Sequence, residues 1–81
     1  MLIDFWTKNS HYRVDDIAHT VECVDGPNPF PPTKAVKFQR TLDMLAVGIP
    51  TIVRWEDGVG PMGKAVMRTS VIQRVVRYQC G

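Results

Sequence analysis

The stretch His11-Tyr12-Arg13-Val14-Asp15-Asp16-Ile17-Ala18-His19-Thr20-Val21-Glu22-Cys23 decides the fold, because it holds the most regular alternation in the chain. A two-residue turn at Asp15-Asp16 would set Val14 opposite Ile17 and Tyr12 opposite His19. One side of the ribbon would then be mainly apolar, with Tyr12, Val14, Ile17, His19, Val21 and Cys23. The other side would be mainly polar, with His11, Arg13, Ala18, Thr20 and Glu22. A period of two with one apolar face predicts a half-buried antiparallel hairpin.

Further strands are predicted on both sides of this hairpin. Leu2–Thr7 is rich in apolar and aromatic residues, and Thr51–Trp55 is rich in β-branched ones. After a glycine-rich loop at 56–63, Lys64–Thr69 reads as a returning strand. Val71–Tyr78 has apolar residues at helical spacing, yet four β-branched residues in six favour a strand. The helical alternative stays open for this last segment.

A proline-rich segment interrupts the strand pattern at residues 25–32. Four prolines and a glycine in eight residues predict a stiff excursion over the surface rather than continued sheet. Phe30, near its middle, would either tuck back onto the core or project as a contact residue.

A helix is predicted over residues 34–47. Thr33 is a suitable N-cap, Gly48 a suitable residue just past the C-terminus, and Pro50 forbids continuation. Ala35, Phe38, Leu42 and Leu45 keep helical spacing. The alternative is a strand at 45–47, since Leu-Ala-Val would suit one. The predicted fold is therefore a single small α+β domain over residues 1–81, with an antiparallel, barrel-like sheet of five to six strands and one helix in the order βββαβββ.

The charge on the 81 residues is segregated. Residues 1–30 carry five acids and two bases, a balance of −3, while residues 31–81 carry eight bases and three acids, a balance of +5. The overall charge of +2 hides this division. Charge asymmetry of this kind indicates a face that could bind an acidic protein surface or nucleic acid.

Two sets of residues are candidates for such a face. Protein binding would use the basic row of the predicted helix and two loop residues: Phe30, Lys34, Lys37, Arg40 and Met62. Nucleic-acid binding would use the basic residues of the final strands: Arg54, Lys64, Arg68, Arg74 and Arg77. A net charge of +2 and the scarcity of aromatics between the bases favour an acidic protein partner over nucleic acid. Self-association is a further alternative.

No pattern in the sequence indicates catalysis, a metal or a cofactor. His19 and Cys23 would need two further ligands for a metal, and on one strand they lie too far apart to act as a base and nucleophile. Gly58, Gly60 and Gly63 lack the GK[ST] sequence of a phosphate loop. No apolar run is long enough for a membrane helix, and no secretion signal is recognisable, so we expect a cytoplasmic protein with reduced cysteines.

Two short motifs carry a resemblance. Thr7-Lys8-Asn9-Ser10-His11-Tyr12 near the start and Arg68-Thr69-Ser70-Val71 near the end resemble small uncharacterised proteins of bacteria and their phages, which pair a T-(K/R)-N-S-x-Y opening with a closing T-S-P-V strand. The proline of the closing motif is absent here. The resemblance implies a compact β-rich module, such as a phage inhibitor or adaptor that binds a host protein in the host cytoplasm. The leading hypothesis is therefore a non-enzymatic protein-binding module, with nucleic-acid binding as the alternative.

Overall fold

The described part of the chain folds into seven antiparallel strands. The computed structural model of the chain describes residues 1–36 and 45–78. In chain order the strands are β1 (Leu2–Trp6), β2 (His11–Asp15), β3 (Thr20–Asp25), β4 (Phe30–Val36), β5 (Ile52–Trp55), β6 (Val66–Arg68) and β7 (Arg74–Tyr78). They form one sheet in the order β6-β5-β4-β3-β2-β1-β7, with every neighbouring pair antiparallel.

The two end strands of this sheet are consecutive in the chain. β6 and β7 lie at opposite ends of the strand order, so residues 69–73 must cross from one end to the other. The Ile72 N–H donates to the Ile49 carbonyl oxygen at 2.9 Å, and the Gln73 N–H donates to the Trp6 carbonyl oxygen at 2.7 Å. The crossing segment therefore bonds first to the chain before β5 and then to β1, which curls the sheet around one core.

The core lies on the inner face of the curled sheet. A ladder of aromatic rings links four strands across it: Phe5 stacks on Tyr12 at 5.0 Å between centroids, Tyr12 lies 6.4 Å from Phe30, and Phe30 meets Trp55 edge-on at 5.4 Å. Such edge and offset contacts suit the ring quadrupoles. The buried apolar residues are Ile3, Phe5, Val14, Val21, Cys23, Phe30, Ala35, Leu45, Val53, Trp55, Met67 and Ile72.

The first hairpin forms as predicted, but in a different register. Val14 lies opposite Val21, not Ile17, because residues 16–19 make a four-residue loop. The Asp15 Oδ1 accepts the N–H groups of Ile17 and Ala18 at 2.9 and 3.0 Å, which holds the wider turn. Ile17 is consequently 78% exposed. Tyr12, Val14, Val21 and Cys23 still share the inner face, as the alternation predicted.

The proline-rich segment is only partly an excursion. Pro31 and Pro32 lie within β4, where the sequence predicted that the sheet could not continue. The register between β3 and β4 shifts between Val21 and Cys23, and an irregular pairing of this kind tolerates residues that lack an N–H donor. Phe30 is 7% exposed and belongs to the core, which was one of its two predicted positions.

The predicted α+β class is wrong: the described residues form an all-β fold without a helix. Residues 34–36 belong to β4 instead of starting a helix, and residues 45–49 are not helical. Thr33 does not act as an N-cap, because its hydroxyl donates to the Pro31 carbonyl oxygen at 2.8 Å. Ala35 is paired with Trp55 across the sheet, so tertiary pairing overrode the helical spacing. The remainder of the predicted helix, 37–44, lies outside the described residues.

The other strand predictions are confirmed with small differences at their ends. β1, β5 and β6 fall within the predicted segments, and the final segment is the strand β7, not a helix. The glycine-rich residues 56–63 form the turn between β5 and β6, as expected.

Candidate binding surface

The three described residues among those predicted for protein binding, Phe30, Lys34 and Met62, lie in different places. Phe30 is part of the core, and Lys37 and Arg40 lie outside the described residues. Lys34 is exposed on β4, but it lines the same shallow cavity as Glu56 and Asp57. Lys34 therefore lies beside two acids and apart from Met62, which lines a different cavity. Met62 is 44% exposed in the turn between β5 and β6.

Three of the five residues predicted for nucleic-acid binding lie close together: Arg54 on β5, Arg68 on β6 and Lys64 just before β6. Arg54 pairs with Val66, and Ile52 pairs with Arg68, so the four side chains share the outer face of the sheet. Lys64 is exposed two residues before Val66. We call Ile52, Arg54, Lys64, Val66 and Arg68 the β5–β6 patch. In the described part of the chain, none of its three cations forms an ion pair.

A cavity of about 380 Å³ adjoins this patch at the end of the sheet. Trp55 and Met67 reach it from the inner face, while Val66 and Arg68 reach it from the outer face. Met62 and Lys64 complete its lining. The cavity therefore combines apolar walls with two cations.

The turn between β5 and β6 is held by the side chain of Asp57 and packs against Trp55. The Asp57 Oδ1 accepts the N–H groups of Val59 and Gly60, each at 2.8 Å. The bond from Gly60, followed by that from Val59, lowers the pKa of Asp57 because both favour the ionised carboxylate. Gly60 has φ of 66° and lies so close to Trp55 that a Cβ would overlap the indole. Met62, two residues further along this turn, lines the cavity.

The remaining two predicted arginines lie elsewhere. Arg74, on β7, sits over the ring of Trp6 at 4.8 Å from its centroid. Arg77 faces the inner side of the sheet opposite Ile3, and its Nη2 donates to the Leu45 carbonyl oxygen at 3.2 Å. Five arginines and lysines from one stretch of sequence are thus divided among three locations.

Among the described residues, neither tryptophan is free to stack on bases. Trp55 is only 3% exposed and packs edge-on against Phe30. Trp6 stacks on His11 of β2, with 4.4 Å between the ring centroids. The guanidinium of Arg74, on β7, lies over the Trp6 ring.

A second polar cluster occupies the outer face of β1 and β2. Asp4 is 1% exposed, and its carboxylate accepts two hydrogen bonds from Arg13. His11 Nε2 lies 3.0 Å from Oδ2 of the same carboxylate. Burial opposes ionisation of Asp4, but the bonds and charges of Arg13 and His11 outweigh it and lower its pKa. Every oxygen of the carboxylate has a partner, so this cluster joins strands and offers no open position for a ligand.

The described part of the chain holds no cluster of metal ligands, and its Cys23 thiol is buried. Within residues 1–36 and 45–78, no three His, Cys, Asp or Glu side chains come together as a group that could hold a metal ion. Burial raises the pKa of the Cys23 thiol, which is free and donates to the Asp25 carbonyl oxygen at 3.5 Å. A thiol of raised pKa is a poor nucleophile. No helix long enough and apolar enough to cross a membrane occurs in the same ranges.

Two residues of the patch were missed from the sequence, and a signal for them existed. Ile52 and Val66 are apolar and exposed, and each alternates with an arginine in a short strand, Ile52-Val53-Arg54 and Val66-Met67-Arg68. A period of two would have put each aliphatic residue on the same face as its arginine.

Comparison with protein-family models, with curated proteins and with solved structures found no match to this chain. The resemblance of its opening and closing motifs to small bacterial and phage proteins therefore stays a prediction.

Proposed function

We propose that this protein is a non-enzymatic binding module that engages an acidic surface of a partner protein through the β5–β6 patch. One observation carries the proposal: among the described residues Arg54, Lys64 and Arg68 form no ion pair and lie near exposed aliphatic side chains, and Lys64 and Arg68 also line a cavity with apolar walls. The class of partner is the one expected from the charge pattern, while the contact surface moves from the predicted helix to two strands.

The mixture of arginine and aliphatic residues favours a protein partner. Protein interfaces combine arginine at the contact with apolar side chains that exclude water around it. Ile52 is 50% exposed and Val66 is 44% exposed. A partner that covered them would remove apolar surface from water, which favours binding. A protein contact therefore explains exposed apolar residues beside cations better than a solvated charged face does.

Nucleic acid is the less favoured partner. Binding to a phosphate backbone gains from many cations, and single strands add aromatic stacking. The patch has three cations, and the neighbouring Trp55 is buried. Arg74 and Arg77, which would have enlarged a basic track, are engaged with Trp6 and Leu45.

Charge reversal tests this surface. Wild type, Arg54→Glu and Arg68→Glu would be immobilised, and proteins captured from a lysate of the source organism would be identified by mass spectrometry. The control is Lys8→Glu, which makes the same charge change at an exposed residue near the other end of the sheet. We expect an acidic protein that is retained by wild type and Lys8→Glu, with affinity lowered about tenfold or more by each patch variant.

Two results would contradict the proposal. One is a captured protein whose affinity is the same for wild type and for both patch variants. The other is tight binding of a mixed-sequence single-stranded oligonucleotide, lost in the patch variants and steeply weakened by salt, which would favour the nucleic-acid alternative.

A further inference from the structure

The outer edge of β6 presents free backbone groups. The Trp55 N–H donates to the Ala65 carbonyl oxygen, and the Thr69 N–H donates to the Thr51 carbonyl oxygen, each at 2.9 Å. In an antiparallel ladder alternate residues bond to the same partner strand, so Ala65, Met67 and Thr69 face β5. The N–H and C=O groups of Val66 and Arg68 therefore point away from β5. In the part of the chain that the structure describes, nothing bonds to them.

An open strand edge of this kind is a template for another strand. Native sheets usually cover or shorten such edges, and several protein modules use them to bind an extended peptide. β6 is only three residues long, so main-chain pairing there would supply few hydrogen bonds. Side-chain contacts must provide the rest of the affinity and the specificity.

The surroundings of β6 define which side chains would fit. Successive residues of an added strand point to opposite faces of the sheet. On one face a side chain would meet the cavity between Trp55, Met62 and Met67, which suits an apolar group. On the outer face its neighbour would meet Arg68, and the exposed Lys64 lines the same cavity, so this position suits a carboxylate.

We propose that the partner supplies an extended segment of alternating apolar and acidic residues, which adds to the outer edge of β6 as an eighth strand. The inference rests on the proposed function and specifies how the patch is used. A second copy of this chain is not the occupant, because pairing β6 with itself would bring Arg68 and Lys64 of the two copies together.

The probe is a blocked hexapeptide of alternating glutamate and valine. Its affinity would be measured by isothermal titration calorimetry at low salt, and amide hydrogen exchange would be followed by NMR. We expect binding that slows exchange of the Val66 and Arg68 amides. The same peptide with lysine in place of glutamate should bind at least about tenfold more weakly.

Val66→Pro separates backbone pairing from charge. Proline removes the N–H that points to the open edge and leaves the bonds to β5 unchanged, whereas Val66→Ala keeps the N–H and shortens the side chain. We expect Val66→Pro to weaken the glutamate–valine peptide about tenfold or more and Val66→Ala by less than about threefold. Circular dichroism would check that both variants fold, and the exchange measurement on wild type decides the matter if Val66→Pro does not.

Each remaining outcome overturns strand addition. Binding without slowed exchange at Val66 and Arg68, or equal affinities for the proline and alanine variants, would mean contact through side chains alone. No binding of the peptide, with or without binding of an oligonucleotide, would also overturn it. The proposed function would survive these results if Arg54→Glu and Arg68→Glu still abolished capture of an acidic protein, so the two failures are distinguishable.

Discussion

Arg13 holds the buried carboxylate of Asp4 with two hydrogen bonds: Nε donates to Oδ1 at 2.9 Å, and Nη2 donates to Oδ2 at 3.1 Å. The two residues lie directly opposite each other on β1 and β2. A guanidinium and a carboxylate matched in this way fix both position and orientation. The pair therefore ties the first strand to the hairpin on the outer face, while the aromatic ladder does so on the inner face.

The pH dependence of stability should report this pair. The pKa of Asp4 is below its usual 3.8 in the folded protein, so the ionised group stabilises the fold above that unfolded value. This contribution is lost as the pH falls through the lower, folded pKa. We expect Asp4→Asn to reduce the free energy of unfolding by about 2 kcal/mol at neutral pH and to weaken its decline in acid. Urea unfolding from about pH 7 down to about pH 2 measures both effects. The exposed Asp25→Asn is the control, and an unchanged pH profile for Asp4→Asn would contradict the assignment.

The hairpin register predicts very different costs for two similar substitutions. Val21 is fully buried opposite Val14, whereas Ile17 is 78% exposed in the loop. Val21→Ala should lower the free energy of unfolding by about 2 kcal/mol, since it leaves a cavity. Ile17→Ala should change it by less than about 0.5 kcal/mol. Chemical denaturation of both variants checks the register, and a reversed order of costs would support the two-residue turn at Asp15-Asp16.

Phe30 should behave as a core residue. It lies between Tyr12 and Trp55 in the aromatic ladder. Phe30→Ala should destabilise the protein by about 3 kcal/mol, whereas Met62→Ala, at an exposed position, should cost less than about 1 kcal/mol. Thermal unfolding monitored by Trp fluorescence is a suitable measurement. A small effect of Phe30→Ala on stability, combined with a large one on partner affinity, would show instead that the ring is a contact residue.

The turn between β5 and β6 offers a matched pair of glycines. Both Gly58 and Gly60 have positive φ, but an added Cβ meets nothing within 4 Å at Gly58 and overlaps Trp55 at Gly60. Gly58→Ala should therefore cost only the backbone penalty of about 1 kcal/mol. Gly60→Ala should cost about 2 kcal/mol more, because the turn must move away from the indole. It should also weaken partner binding, since Met62 moves with the turn. Equal costs in urea unfolding would show that the turn does not rest on Trp55.

Two buried threonines should respond in opposite directions to replacement by valine. Among the described residues, the Thr51 hydroxyl has no hydrogen-bond partner, although it is buried. Thr69 Oγ1 accepts the Thr51 N–H at 3.0 Å and donates to the Ser70 carbonyl oxygen at 2.9 Å. Thr51→Val should raise the free energy of unfolding by about 1 kcal/mol, and Thr69→Val should lower it by about 1–2 kcal/mol. A loss of stability in Thr51→Val would indicate that this hydroxyl has a partner in solution, such as an ordered water.

Most of the strands could be predicted from local sequence, because alternation and β-branched residues act over a few neighbours. Leu2–Trp6 and the two arms of the first hairpin follow from this signal alone. The register of the hairpin could not be predicted in the same way. A two-residue turn and a four-residue turn both keep Val14 and Val21 on one face, and the wider turn is the one in which Asp15 accepts the N–H groups of Ile17 and Ala18.

The helix prediction failed for a related reason. Helical spacing and capping residues are weak preferences that tertiary pairing can override. Thr33 and Ala35 matched a helix start, yet β3 and β5 on either side gave their backbone groups partners. The candidate surface is therefore the β5–β6 patch and not a helix, because Lys34 is a strand residue beside Glu56 and Asp57.

The sequence by itself determined the position of most strands and the divided charge, since composition and alternation are properties of neighbouring residues. Only the tertiary structure decided which cations share a face. Arg54 and Arg68 lie fourteen positions apart and are brought together by pairing of β5 with β6, whereas Arg74 and Arg77, close in sequence, point to opposite faces of one strand. Strand pairing joins distant residues and the pleat separates near ones, so a binding surface made of strands is not contiguous in the sequence.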